Sequence, residues 1–223
     1  MPLTKKLETV KTELLQESEE YIRSKKLRQL FLVGDITRSP FLRSVWHCAS
    51  GYGMTVSCWT PIARVPDAAA AVADFEHLSC APDAVLFVKS QDIDCSYYDG
   101  VSACAEATAA LLSNAVNLHG KHVLIIGRGH AVKGLPRLLI KQNAAVSVVH
   151  SKSSQKLVQE LCKTADVVIN AAPSIPYFLS CKGLLLDIGN VANYEAETYF
   201  NDIGMLTTAY LLRRCTVRGG CDE

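Results

Sequence analysis

The sequence predicts a two-domain α/β chain whose second domain holds a parallel sheet. Strand-like apolar runs alternate with helical stretches along its 223 residues, the pattern of βαβ units covered on both faces. The stretch HVLIIGRGHAVKG, residues 122–134, passes from strand through clustered glycines into the helical LPRLLIKQ. A break near 100–117 divides the chain into domains 1–105 and 106–223.

A helix is expected over 4–26, where Leu7, Val10, Leu14 and Ile22 share one face and charges lie opposite. LRQLFLVGD reads as a buried strand. SPFLRSVWHCASGYG reads as a helix: Ser39 can cap it, Pro40 suits its first turn, and Gly51 and Gly53 end it. MTVSCWTPI is a second strand, DAAAAVADFEHLS a helix and PDAVLFVKS a third strand. QDIDCSYYDGV is polar and turn-like. ACAEATAALLSNA is helical and KHVLIIG a strand. There follow a helix over 134–142, strand AAVSVVHS, helix SQKLVQELCKT, and strands ADVVINAAP and GLLLDIGN. Helices are expected at YEAETYF and TTAYLLRRC.

Bulk properties exclude several classes. A net charge of +1 leaves no electrostatic case for nucleic acid or an anionic membrane as partner. No apolar run reaches the roughly 18 residues of a membrane span. The first thirty residues hold no signal-peptide core, and Glu8, Glu13, Glu17, Glu19 and Glu20 argue against a mitochondrial presequence. The nine cysteines are odd in number and include no CxxC pair, which argues against a disulfide framework or a metal site. They read as reduced thiols acting mostly as small buried hydrophobes.

The glycine turn carries the chemistry. Backbone amides at a helix start lack internal partners and suit a pyrophosphate, and glycines let the backbone approach it. GRGHAVKG is GxGxxxxG, longer than the usual dinucleotide fingerprint. A tight strand-to-helix packing turn has the same pattern. An NAD site expects an acid about 20 residues on. Here the next strand ends in VVHSKSS, and His150, Ser151 and Lys152 are donors or cations suited to a 2′-phosphate. NADP is therefore favoured over NAD.

These residues resemble a family. GKHVLIIGRGHAVKGLPRLLIKQNAAVSVVHSKS is similar to the NADP-binding segment of bifunctional methylenetetrahydrofolate dehydrogenase/methenyltetrahydrofolate cyclohydrolases, GKxxxVIGRSxIVGxPxxxLLxxxxATVTxxHSxT. The likeness continues through ADVVINAAPSIP, GLLLDIGN and IGMLTTAYLL, and more faintly through LFLVGDITRS, VLFVKS and QDIDC. It implies a reduced N-terminal α/β domain, which in the family binds folate, and a C-terminal Rossmann-like NADP domain. It implies oxidation of 5,10-methylenetetrahydrofolate, a folate-type substrate, and a homodimer or a place in a larger assembly. Members occupy cytosol or mitochondria; the cytoplasm is the expected compartment here. By position, Gly127, Arg128 and Gly129 would lie on the cofactor phosphates, His150, Ser151 and Lys152 near the 2′-phosphate, and Ile188 and Thr207 at the nicotinamide end. Asp94 would match the Asp that holds the pterin.

The departures concern catalysis. The family's Tyr-x-x-x-Lys supplies the acid/base Lys, a role that a desolvated lysine can be tuned for. Here Leu42 and Trp46, or with one deletion Phe41 and Val45, take those places, and neither alignment supplies a Lys. His47 is a possible base. Lys89 stands where the family has Gln and is a candidate replacement. PCTP has become ACAE at 103–106, and TPVPGG has shrunk to leave YFNDIG. The resulting expectation is a family member with the cyclohydrolase step lost and dehydrogenation retained. The alternatives are an inactive scaffold within a larger assembly, or a module that binds NADP without a substrate.

Overall fold

The computed structural model describes residues 1–33, 40–59, 84–89, 92–93, 97–98, 100–150, 152–173, 175–189, 191 and 193–214. The chain divides into two compact units, one of residues 1–14 and 99–207 and the other of 15–98 and 208–223.

The second of these holds strands β1 (Gln29–Val33), β2 (Thr55–Trp59), β3 (Ala84–Lys89) and β4 (Asp92–Ile93) in the order β2-β1-β3-β4. β1 pairs in parallel with β2 and β3, and β4 turns back antiparallel on β3. Part of the stretch read as a polar turn is therefore strand. Helix α1 (Leu3–Ser24) buries the expected Leu7, Val10, Leu14 and Ile22. Helix α2 (Pro40–Gly51) buries Leu42, Val45, Cys48 and Ala49 and leaves Trp46 and His47 exposed. It ends as expected at glycine: Gly53 is left-handed, and Met54 N donates back to Ala49 O at 3.0 Å, a capping bond across the last turn. The helix read at DAAAAVADFEHLS and the cap at Ser39 lie outside the described residues.

Two short strands, β5 (Tyr97–Tyr98) and β6 (Val101–Ser102), lead to α3 (Ala103–Ala115). Ser102 caps α3 by accepting from Ala105 N at 3.0 Å. The larger sheet of the first unit is built from β7 (His122–Ile126), β8 (Ala145–Val149), β9 (Val167–Asn170), β10 (Leu179–Asp187) and β11 (Tyr194–Phe200). Its order is β11-β10-β9-β7-β8 and every pairing is parallel. β7 and β9 are almost wholly buried, as an interior parallel strand requires. Helices α4 (Leu135–Lys141), α5 (Gln155–Thr164) and α6 (Gly204–Arg213) follow β7, β8 and β11. α5 lays Val158 and Cys162 against a core of Leu124, Val168 and Leu185.

YEAETYF is strand β11, not the helix expected from its Glu and Ala content. Its Tyr, Thr and Phe suit a pleated surface, and seven residues are too few for a helix to form on propensity alone. Parallel pairing along β10 decides the outcome: Leu179, Ser180 and Cys181 face Tyr194, Glu195 and Ala196. Within the glycine turn a 3-10 turn forms at His130–Val132, and α4 then begins at Leu135, beside the expected start at 134.

Candidate cofactor site

Strand register assembles the site. Val149 of β8, Ile126 of β7, Asn170 of β9 and Asp187 of β10 stand in one row across the sheet. The chain therefore leaves the sheet at His150, Gly127, Ala171 and Ile188 along a single carboxyl edge. β7 lies between β8 and β9, so the connections from this centre run to opposite sides. Such a topological switch point leaves a crevice in which open α/β sheets bind ligands.

Two glycines bring the loops of this edge into backbone contact. Gly127 has φ +113°, and a Cβ there would lie 3.0 Å from the Ala171 carbonyl carbon and 3.2 Å from Ala172 N. A Cβ on Gly189 would fall 2.0 Å from Ala172 O. The loops after β7, β9 and β10 are thus stacked edge to edge. Gly127 N donates to Val149 O at 2.8 Å, and Ala171 N to Ile126 O at 2.8 Å. Gly129, by contrast, would carry a Cβ into open space. Among the described residues, the amides of Arg128 and Gly129 take no partner. The far side of the turn is pinned to the start of α3: Ser102 N donates to Lys133 O at 3.0 Å and Ser102 Oγ to Ala131 O at 2.8 Å.

The loop after β8 is basic. His150 Nδ1 accepts from Lys152 N at 3.1 Å, which leaves Nε2 as the ring's free donor in the neutral form. Ser153 N closes the turn on His150 O at 2.8 Å. Arg128 and Lys152 are exposed on their loops.

A buried carboxylate ties the other side together. Asp187 accepts from Asn170 Nδ2 at 2.7 Å, Gly189 N at 3.1 Å, Val191 N at 2.7 Å and Tyr199 Oη at 3.0 Å. Asn170 Oδ1 accepts from Ala172 N at 3.1 Å, and Asn170 O from Ile188 N at 2.7 Å. The Tyr199 ring stacks on Tyr194 at 4.1 Å between centroids. Burial, then the bond to Asp187, pushes the Tyr199 phenol up to about 12. A free tyrosine titrates near about 10, so this bond's stability is whole below that pH and is lost as pH rises toward the folded value. Base denaturation followed by circular dichroism should accordingly begin at lower pH in wild type than in Tyr199→Phe, each curve scaled to its own neutral stability.

Among the sequence-chosen residues, Gly127, Arg128, Gly129, His150, Lys152 and Ile188 emerge along this one edge. Thr207 lies on α6, its buried hydroxyl without a hydrogen-bond partner among the described residues; burial pushes the Cys104 thiol up. Lys89 is the last residue of β3 in the other unit, its backbone paired with Asp92. Asp94 and Ser151 lie outside the described residues. Asn170, Gly189, Asp187 and Tyr199 were not singled out from the sequence. The one local signal was a charged residue closing the apolar run GLLL. Among the described residues no group of three or more His, Cys, Asp or Glu is placed to hold a metal, and no helix is long and apolar enough to cross a membrane.

The fold and this edge define a dinucleotide-type α/β unit. Residues 102–203 match the family model for the tetrahydrofolate dehydrogenase/cyclohydrolase NAD(P)-binding domain. That segment is similar to the family's cofactor domain. The chain is 47% identical over 57 residues to the bifunctional protein FolD of Streptococcus pyogenes serotype M5, a match covering 25% of this chain and 19% of that protein. The chain thus spans about a fifth of the length of the curated relatives it matches. The solved 5,10-methylenetetrahydrofolate dehydrogenase of the silkworm, Bombyx mori, superposes with TM-score 0.68 at 16% identity, covering 95% of this chain and 94% of that one. The Trypanosoma brucei dehydrogenase-cyclohydrolase, solved with NADP cofactor and inhibitor, gives 0.67 at 18% identity, covering 96% and 94%. At such identities the likeness is one of fold.

Proposed function

We propose that the chain binds NADP(H) across the carboxyl edge of the five-stranded sheet and uses it as a methylenetetrahydrofolate dehydrogenase without the cyclohydrolase step. The observation that carries the cofactor reading is the level row ending in Gly127, His150 and Ile188 at the switch point. The residues fit such a cofactor. Two amides, of Arg128 and Gly129, are free to donate, and the Gly129 backbone is open to a phosphate. No carboxylate stands on the described part of the β8 loop to repel a 2′-phosphate, and His150 and Lys152 supply donors for one. The T. brucei relative, solved with NADP, supports the same choice.

When bound, NADP would accept a hydride from a folate-type substrate. This chain's own part is orientation and exclusion of water. Dehydrogenation mainly needs hydride geometry, whereas hydrolysis needs a proton-transfer group. On α2 the places of the family's Tyr and Lys fall to buried Leu42 and exposed Trp46, or to Phe41 and buried Val45. None of these transfers a proton, which supports loss of the hydrolytic step. Asp94 and Lys89 are the groups proposed for the folate side, in a domain 1–105, with the cofactor domain at 106–223. A homodimer in the cytoplasm completes the proposal. Turnover of 5,10-methylenetetrahydrofolate with NADP, without formation of 10-formyltetrahydrofolate, tests the reaction. An inert protein that still binds NADPH would instead fit the module reading.

Arg128→Ala tests the phosphate turn. Loss of a charge-assisted contact is worth about 1.5–3 kcal/mol, so NADPH affinity should fall roughly tenfold to a hundredfold in a calorimetric titration. Unchanged affinity would misplace the turn.

A further inference from the structure

The Asn170–Asp187–Tyr199 knot lies at the same edge as the glycine turn, yet on the side away from the basic β8 loop. This inference rests on the cofactor reading. A dinucleotide whose pyrophosphate sits at Gly127–Gly129 and whose adenosine half turns toward His150 and Lys152 must extend its other half the opposite way, over β9 and β10. The loops it meets there are those the knot controls. Ala172 is held by Asn170 Oδ1, Ile188 by Asn170 O, and Gly189 and Val191 by the two oxygens of Asp187. Gly127 rests on Ala171, and Ala172 on Gly189, so the knot's geometry passes through backbone to the turn itself. Asp187 and Asn170 are buried, at 2% and 0% exposure, so they act on a ligand through the loops they hold.

We propose that Asn170, Asp187 and Tyr199 are positioning residues that set Ile188, Gly189 and Val191 as the wall for the nicotinamide half of the cofactor and leave the adenosine half untouched.

The test compares two probes by calorimetry: NADPH, and 2′,5′-ADP, which carries the adenosine and 2′-phosphate without the nicotinamide. Asp187→Asn should weaken NADPH about tenfold, since a buried charged acceptor becomes in part a donor, and leave 2′,5′-ADP within about twofold. Tyr199→Phe keeps the ring and its stack on Tyr194 and should shift NADPH in the same direction by a smaller factor. It carries the test should Asp187→Asn fail to fold. Parallel weakening of both probes by either variant would reduce the knot to general scaffolding and overturn the proposal, as would no change in either probe. Wild-type protein that binds neither probe overturns the cofactor reading itself, a result distinct from both.

Discussion

Gly189→Ala should cost about 3 kcal/mol or more, among the largest losses available from one methyl group. Its Cβ would lie 2.0 Å from Ala172 O and 2.8 Å from Ala172 C. Neither side can retreat cheaply. Ala172 N is bonded to Asn170 Oδ1, and Gly189 N is shared between Asn170 O and Asp187 Oδ1. Relief of the clash would therefore break part-buried hydrogen bonds on both sides. Gly129→Ala is the matched control: that residue has a negative φ and open space beyond it, and its change should stay within about 0.5 kcal/mol. Urea midpoints at unchanged slope would measure both.

Asp187→Ala is expected to cost about 3–5 kcal/mol, because it removes the carboxylate on which four donors converge and strands the buried ones among them. The asymmetry matters here. Asn170 Nδ2 and Val191 N are buried with Asp187 as their acceptor, so removal of the carboxylate leaves their desolvation uncompensated. Exposed Asp166 provides the contrast. It bridges Lys121 at 2.8 Å and accepts from His122 N at 2.9 Å, and those two bonds hold its carboxyl below the usual range. Both partners are well exposed, and a surface pair of this kind is worth at most about 1 kcal/mol. Thermal unfolding should separate the two aspartates clearly.

The strands and most helices were legible because their causes are local. Leu7, Val10, Leu14 and Ile22 announce the buried face of α1, and the run HVLII announces an interior strand. The glycine turn and the basic loop after β8 were legible for the same reason, since each lies within one short stretch. β11 was not. Tyr194–Phe200 holds residues that favour either state, and the choice is made by β10, which forms from residues elsewhere in the chain. The knot was hidden more deeply. Residues 170, 187 and 199 converge through the registers of separate strand pairs, and no local spacing encodes that. Asp187 reads in sequence as the polar end of a strand, and its burial appears only once the sheet is assembled. The missing Lys of α2 could be read directly, because an absence of that side chain in the aligned helix needs no fold.

The measurement that bears most directly on the account is a calorimetric titration of the purified chain with NADPH and with NADH. The account predicts micromolar binding of NADPH and weaker binding of NADH, the difference arising at His150 and Lys152. No heat with either nucleotide, or NADH bound as tightly as NADPH, would contradict it: the first would leave Gly127–Gly129 as a packing turn between strand and helix, and the second would remove the 2′-phosphate from the loop after β8.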